Sequence, residues 1–331
     1  MKIKTIQILF AAIAILLLTS VACAAEHVIE TEDDLKRIGT GEFGLNDSYT
    51  LAENITIRDA VWNSIGCNDY PFTGTFDGNN KSITFCKDIT LVNENRNEEQ
   101  NEKQNEEQNE KQNEKQNGNE KQNGNEKQNN FAFDGFGLFG NIENANIKNI
   151  CLIICNMTTE NPGAESDSEF NVLPTGPLAG FVSGEKTEIT DCRVYKAMRG
   201  TGMIYSNTGA GGLIGMVDSG MIDNCTSQAD VSACAAAGGL IGMTKEAFVS
   251  NSSCVGNVNA DVAAGGFVGT VAGASVITNN SAEGNATADE QAGAFVGEII
   301  APGSSFIYCR SSNLQDIIFE LFRLFENESK N

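Results

Sequence analysis

The side chains able to do chemistry are few in kind. After Cys23, nine cysteines follow, at 67, 86, 151, 155, 192, 225, 234, 254 and 309. A thiolate is the nucleophile, the metal ligand and the disulfide partner, so each is a candidate for all three roles. No Cys-x-x-Cys pair occurs, which removes zinc ribbons and thioredoxin-type centres. The odd count leaves at least one thiol free or bridged to another chain. The single histidine, His27, falls near the expected mature N-terminus. Zinc sites of the HExxH type and histidine-dependent triads are therefore excluded. Carboxylates remain: Asp191, Asp218, Asp223, Asp230 and Asp261 could line one outer face and act on a polysaccharide. Asp77-Gly78-Asn79-Asn80 looks like part of a calcium loop but lacks the further carboxylates of a full site, and reads as a turn.

The elements that must position these residues come from a repeat. Ala210-Gly211-Gly212-Leu213-Ile214-Gly215 recurs at Ala237–Gly242 and at Ala264–Gly269, 27 residues apart each time. Ala292-Gly293-Ala294-Phe295-Val296-Gly297 follows 28 later, and Gly135–Gly140 is an earlier copy. Leu178-Ala179-Gly180-Phe181-Val182-Ser183 reads as a degenerate one, so that Ser183 and Ala294 replace a glycine and their coils are expected to be less regular. Short apolar stretches bounded by Gly, Asn, Asp and Ser are strands rather than helices. About three of them fit in one repeat. A single coil cannot bury its own apolar face, so the coils must stack. The fold class is all-β, a parallel β-helix or β-solenoid with short capping helices at both ends and a long disordered insert.

Phasing the copies tests the candidate chemistry. Asp191 matches Asn224, Asn251 and Asn279, while Asp223 matches Ser250 and Thr278. No column stacks carboxylates on successive coils, and these positions read as turn residues bonding their own backbone. No catalytic residue, cofactor or metal ligand is assigned. Counted from the second residue of each block, Cys151, Cys192 and Cys225 lie at offsets of 15, 13 and 14. They are expected to form a ladder with the strand spacing of ~4.8 Å. That spacing permits a disulfide. A reduced, buried ladder is the favoured reading, because free Cys packs as a small hydrophobe. Cys254 and Cys309, both at offset 16 but two coils apart, are expected not to pair.

The remaining chain divides readily. Residues 1–24 form a secretory leader: Lys2 and Lys4, an apolar run from Ile8 to Leu18, and an Ala22-x-Ala24 cleavage site. Cys23 offers an alternative, a lipoprotein-type processing site with a lipid anchor, although Ser20 stands where such sites usually carry Leu. No later segment is apolar enough to span a membrane. Residues 25–92 hold an N-terminal cap, with a short helix near Thr31–Ile38, and the first coils. Residues 93–130, built from Asn, Glu, Gln and Lys, have no apolar side chain to bury and form a disordered insert. The solenoid occupies 131–312. Residues 313–331 form an amphipathic helix that caps its end. Nine N-x-[ST] sequons are present, meaningful only in a glycosylating host. With 44 acidic and 22 basic residues, the charge of −22 repels phosphate backbones, so nucleic acid is not a partner.

At the glycine blocks the chain resembles the GLUG-repeat surface proteins. The motif stands as Gly137-Leu138-Phe139-Gly140, Gly212-Leu213-Ile214-Gly215, Gly239-Leu240-Ile241-Gly242 and Gly266-Phe267-Val268-Gly269. Upstream, Trp62-Asn63-Ser64-Ile65-Gly66 and Phe72-Thr73-Gly74-Thr75-Phe76-Asp77-Gly78 resemble the segment that commonly precedes such repeats. The resemblance implies a β-helical surface module found in adhesin-like proteins and beside the catalytic part of some IgA-cleaving metallopeptidases. The expected function is a secreted or surface-attached, non-catalytic binding module, adhesin-like or envelope-structural, with a surface glycan or protein as ligand. A polysaccharide-active β-helix enzyme is the alternative.

Overall fold

The computed structural model describes residues 24–93, 134–159, 173–198 and 200–311. Most of the leader including Cys23, the body of the insert and the expected C-terminal helix lie outside the described residues. What is described is a parallel β-solenoid. Its strands stack into sheets of 13, 8, 7 and 4 strands. One coil runs through all four: Gly209–Gly211 in the four-stranded sheet, Ile214–Asp223 in the 13-stranded sheet, Thr226–Ser227 in the eight-stranded sheet and Asp230–Ala233 in the seven-stranded sheet. Each position pairs with its counterpart one coil on. Gly209 opposes Ala236, Ala236 opposes Ala263, and Ala263 opposes Gln291, reproducing the 27, 27 and 28 of the sequence.

Three strands per repeat was an undercount. The fourth is the Gly-Ala-Gly or Ala-Ala-Gly run before each motif, which has no β-branched or aromatic residue to mark it. It forms a strand because its neighbours above and below are the same small residues, in register.

Alternation fills the interior. Phe76, Ile147, Ile189, Ile222, Val249 and Ile277 make one inward column, each fully buried. Such a side chain contributes about 1.5–3 kcal/mol. Trp62, Phe72, Phe76 and Phe85 fill the first coils, and in the last ones Ala260, Ala264 and Ala282 are buried beside Phe267 and Phe295. At the N-terminal end, helix α1 (Glu32–Arg37) opens with a capping box between Thr31 and Asp34 and buries Leu35 against the core.

The glycines of the motif are imposed by close backbone approach. A Cβ on Gly211, Gly238 or Gly265 would lie 1.9, 1.8 or 1.8 Å from the carbonyl oxygen three residues ahead. One on Gly212, Gly239 or Gly266 would lie 2.0, 2.1 or 2.1 Å from the carbonyl of Gly239, Gly266 or Ala294 on the next coil. Between these glycines and the next, Leu213, Leu240 and Phe267 are wholly buried. The Leu240 carbonyl accepts from both Leu213 and Ile214 of the preceding coil, at 2.9 and 3.1 Å.

Register corrects two readings of the repeat. Ala179 pairs with Phe139 on one side and Ile214 on the other, so Pro177-Leu178-Ala179-Gly180 is the true copy of the motif. Pro177 replaces its first glycine, and Ser183 replaces none. Ala294 does stand in a glycine column, but in the coil where, among the described residues, the four-stranded sheet ends. The coil keeps its register there. Ser64-Ile65-Gly66 is in phase too, since Ile65 bridges Phe139. The Ser64 hydroxyl sits buried where other coils place Leu and donates to the Gly137 carbonyl at 2.9 Å.

Candidate functional site

The seven-stranded sheet carries a regular outer face. In Asp230–Ala233, Val231 and Ala233 are buried, while Asp230 and Ser232 point outward. The pairing extends this alternation along the axis. Thr90, Thr158, Tyr205, Ser232, Asn259 and Thr287 occupy one outward column, one residue per coil. Beside it run Asp230, Asn257 and Asn285, tied by Asn257 N–H to Asp230 Oδ1 at 2.8 Å and Asn285 N–H to Asn257 Oδ1 at 3.2 Å. Within the main column Thr287 Oγ1 donates to Asn259 Oδ1 at 2.9 Å. The result is a rigid row of hydroxyls and amides at the ~4.8 Å spacing of strands. Such a row can offer donors and acceptors at regular intervals to an extended partner. Sequence reading did not single out these residues. The available signal was their own spacing: 205, 232, 259 and 287 keep the period of the glycines although their types differ.

The candidate carboxylates are occupied by partners on neighbouring coils. Asp191 Oδ1 accepts from Asn224 Nδ2 at 2.5 Å, and Asp223 Oδ1 from Ser250 Oγ and Asn251 Nδ2 at 2.5 and 2.7 Å. Lys245 Nζ lies 3.1 Å from Asp218, and Lys196 Nζ 2.6 Å from Asp230. The expected bonds to their own backbone are thus replaced, at Asp191 and Asp223, by bonds between coils. Asp261 stands exposed at a corner. Asp77 does form the turn read from the sequence: its Oδ1 accepts from Asn79 N–H at 2.8 Å, and Asn79 and Asn80 take left-handed conformations. Among the described residues, no group of three or more His, Cys, Asp or Glu is placed to hold a metal ion.

A second repeated corner lies between the 13- and eight-stranded sheets. Asn149, Asp191, Asn224, Asn251 and Asn279 share one column of positive φ, between 51° and 56°. Asn and Asp tolerate this conformation best among residues with a side chain. The residue that follows each of them turns inward: Ile150, Cys192, Cys225, Ser252 and Asn280. Cys192 and Cys225 are both fully buried on adjacent coils, and their neighbours Arg193 and Thr226 are paired. Each thiol points back to the carbonyl two residues earlier, at 3.3 Å. Cys151 does not join them. It pairs with Arg193, one residue out of the column, on the outward-facing side of its strand. A slip of one residue reverses the face. Cys254 lies in another column, opposite Ser227 and Ala282. Cys67, Cys86, Cys151, Cys155, Cys192, Cys225, Cys234 and Cys254 are free thiols. Burial, together with the neighbouring Cys225, pushes the Cys192 thiol well up, and burial does the same at Cys254.

These features define a parallel β-solenoid with repeated polar faces. No family model matches the chain, and no curated protein matches it either. It is similar to a crystal structure from Bacteroides ovatus provisionally named an immunoglobulin A1 protease, at 16% identity and a TM-score of 0.46, over 87% of this chain and 84% of that one. The expectation that the chain is not an enzyme is withdrawn on this finding, since a protease's name attaches to the structure it resembles. At this identity and score the likeness transfers no activity.

Proposed function

We propose that the chain is an exported β-solenoid of the GLUG-repeat kind that binds an extended glycan or protein at the cell surface. The observation carrying this is the outward column Thr90, Thr158, Tyr205, Ser232, Asn259 and Thr287, one polar side chain per coil on a rigid support. Repeated weak contacts along such a face add through effective concentration, so no single deep pocket is needed. The leader supports export. The surplus of 44 acidic over 22 basic residues supports solubility and salt-dependent attraction to basic partners.

The test has two parts. Surface protease shaving of intact cells locates the protein. Purified protein is then applied to a panel of immobilised envelope polysaccharides and surface proteins. Replacing Ser232 and Asn259 together by Arg should weaken capture at least about tenfold. Thr226→Arg, on the eight-stranded sheet, should leave it unchanged. Equal effects of the two changes, or protein confined inside the cell, would overturn the reading.

A further inference from the structure

The N-terminal cap holds Ala25 against a nearly buried carboxylate. Asp47 is 8% exposed and lies between the glycine-rich loop after α1 and the strand Ser48–Leu51. Its Oδ1 accepts from the backbone nitrogen of Ala25 at 2.9 Å. Its Oδ2 accepts from Gly44 N–H at 2.8 Å and lies 3.0 Å from His27 Nε2. The His27 ring is itself fixed. It packs against both Phe43 and Tyr49, with centroids 4.4 and 5.1 Å away and planes within 20°. Arg37 lies over the Phe43 ring at 4.0 Å. Ala25 is held at its other end as well, its carbonyl accepting from Ser48 N–H at 2.8 Å. Ala24 and Ala25 are both exposed, so the bond between them is open to a peptidase.

We propose that Asp47 is the seat of the mature N-terminus, created by cleavage between Ala24 and Ala25. Water is the co-reactant. Its oxygen bonds to the Ala24 carbonyl carbon as the Ala24–Ala25 C–N bond breaks. Ala24 leaves as a carboxylate, and the Ala25 nitrogen, taking both protons of the water, becomes an ammonium. An uncharged N–H at 2.9 Å from a nearly buried carboxylate thereby becomes a charge-assisted contact, about twice as strong as its neutral counterpart. Processing would complete the N-terminal cap as well as free the chain. The groups around the new ammonium are Asp47 and His27, with Tyr49 behind them and Glu26 next in the chain. Asp47 already sits below the usual carboxylate range: burial raises it, but hydrogen bonds from His27, Ala25 and Gly44 outweigh that effect.

Exported protein, purified from a secreting host, is mapped by intact mass and N-terminal peptide analysis. The expected first residue is Ala25. A chain beginning at a lipid-modified Cys23, or at any residue other than Ala25, would overturn the proposal. The α-amino group is then titrated by the pH dependence of its acetylation rate. It should titrate above the ordinary ~7.7–8.0, and within that range in Asp47→Asn. A purified form retaining Ala24 should unfold with an equilibrium constant about fivefold larger than the form starting at Ala25. That advantage should vanish as pH rises through the ammonium's pKa. An ordinary α-amino pKa in the Ala25 form would refute the seat even where the terminus is confirmed, and it needs no variant.

Discussion

Replacing Gly239 by Ala separates close approach from backbone freedom. Gly239 has no positive φ, so alanine can adopt its backbone. By chain entropy alone the change should stabilise by about 0.4–1 kcal/mol. The structure predicts the opposite. The new Cβ would sit 2.1 Å from the Gly266 carbonyl oxygen and 2.8 Å from Cys254 Sγ. The oxygen belongs to backbone held by its neighbours, so the coils must part. Overpacking of this kind costs typically 1–3 kcal/mol. Parting also stretches the bonds from Leu240 and Ile241 to the Phe267 carbonyl, at 3.0 and 3.1 Å, each worth about 1 kcal/mol. A loss of about 3–5 kcal/mol is expected. Ala294→Gly, in the same column of the last described coil, removes a methyl that no described coil overlies and should cost only about 0.5–1 kcal/mol. Urea unfolding followed by circular dichroism measures both. Gly239→Ala at or above parent stability, or equal shifts for the two variants, would refute the close-approach argument.

Iodoacetamide at pH 8 should label exposed Cys86 in the native protein and spare Cys192, Cys225 and Cys254 until denaturant is added, as read by peptide mapping; labelling of the buried three without denaturant would contradict the packing. Replacing residues 95–132 by a short Gly-Ser linker should shift stability by about 1 kcal/mol or less, because Asn93 Nδ2 donates to the Gly135 carbonyl at 2.7 Å and the two ends already meet. A large loss in the thermal transition would show that the insert packs. Asp34, Asp47 and Asp77 are each held below the usual carboxylate range; burial raises all three but is outweighed, by hydrogen bonds to Thr31 at Asp34, to His27 at Asp47 and to Asn149 at Asp77. A depressed folded pKa gives stability that is present above the unfolded value of ~3.9 and lost as pH falls through the folded one. Thermal stability of the N-terminal coils should therefore drop below about pH 4, and a flat profile between pH 5 and 2 would speak against these contacts.

The period was legible where glycine sets it. At Gly212, Gly239 and Gly266 the next coil's carbonyl leaves no room for a Cβ, so these three mark the phase in plain text. Legibility failed where another residue met the same constraint. Pro177 hid a copy of the motif, so that Gly180-Phe181-Val182-Ser183, three residues downstream, looked like the copy. Ser64 hid another, since a hydroxyl bonded to a backbone carbonyl replaces the usual Leu. Counting offsets across coils carried Cys151 one residue out of its column, because loops between strands vary in length while side-chain faces alternate every residue. The polar column from Thr90 to Thr287 was hidden for a different reason. Outward positions are free to vary in type, so residue identity does not mark Tyr205, Ser232 and Asn259 as neighbours, although their spacing keeps the period.

Ala294 has a consequence for assembly. A stack of parallel coils could in principle continue indefinitely, since each coil's upper edge is a template for the next and a second molecule could supply it. At Gly212, Gly239 and Gly266 the first motif glycine leaves a gap for the carbonyl of the next coil. In the last coil that gap is filled by a methyl group. An incoming coil placed as Gly266 lies on Gly239 would meet the collision calculated for Gly239→Ala, so the methyl of Ala294 disfavours a further coil in that one register.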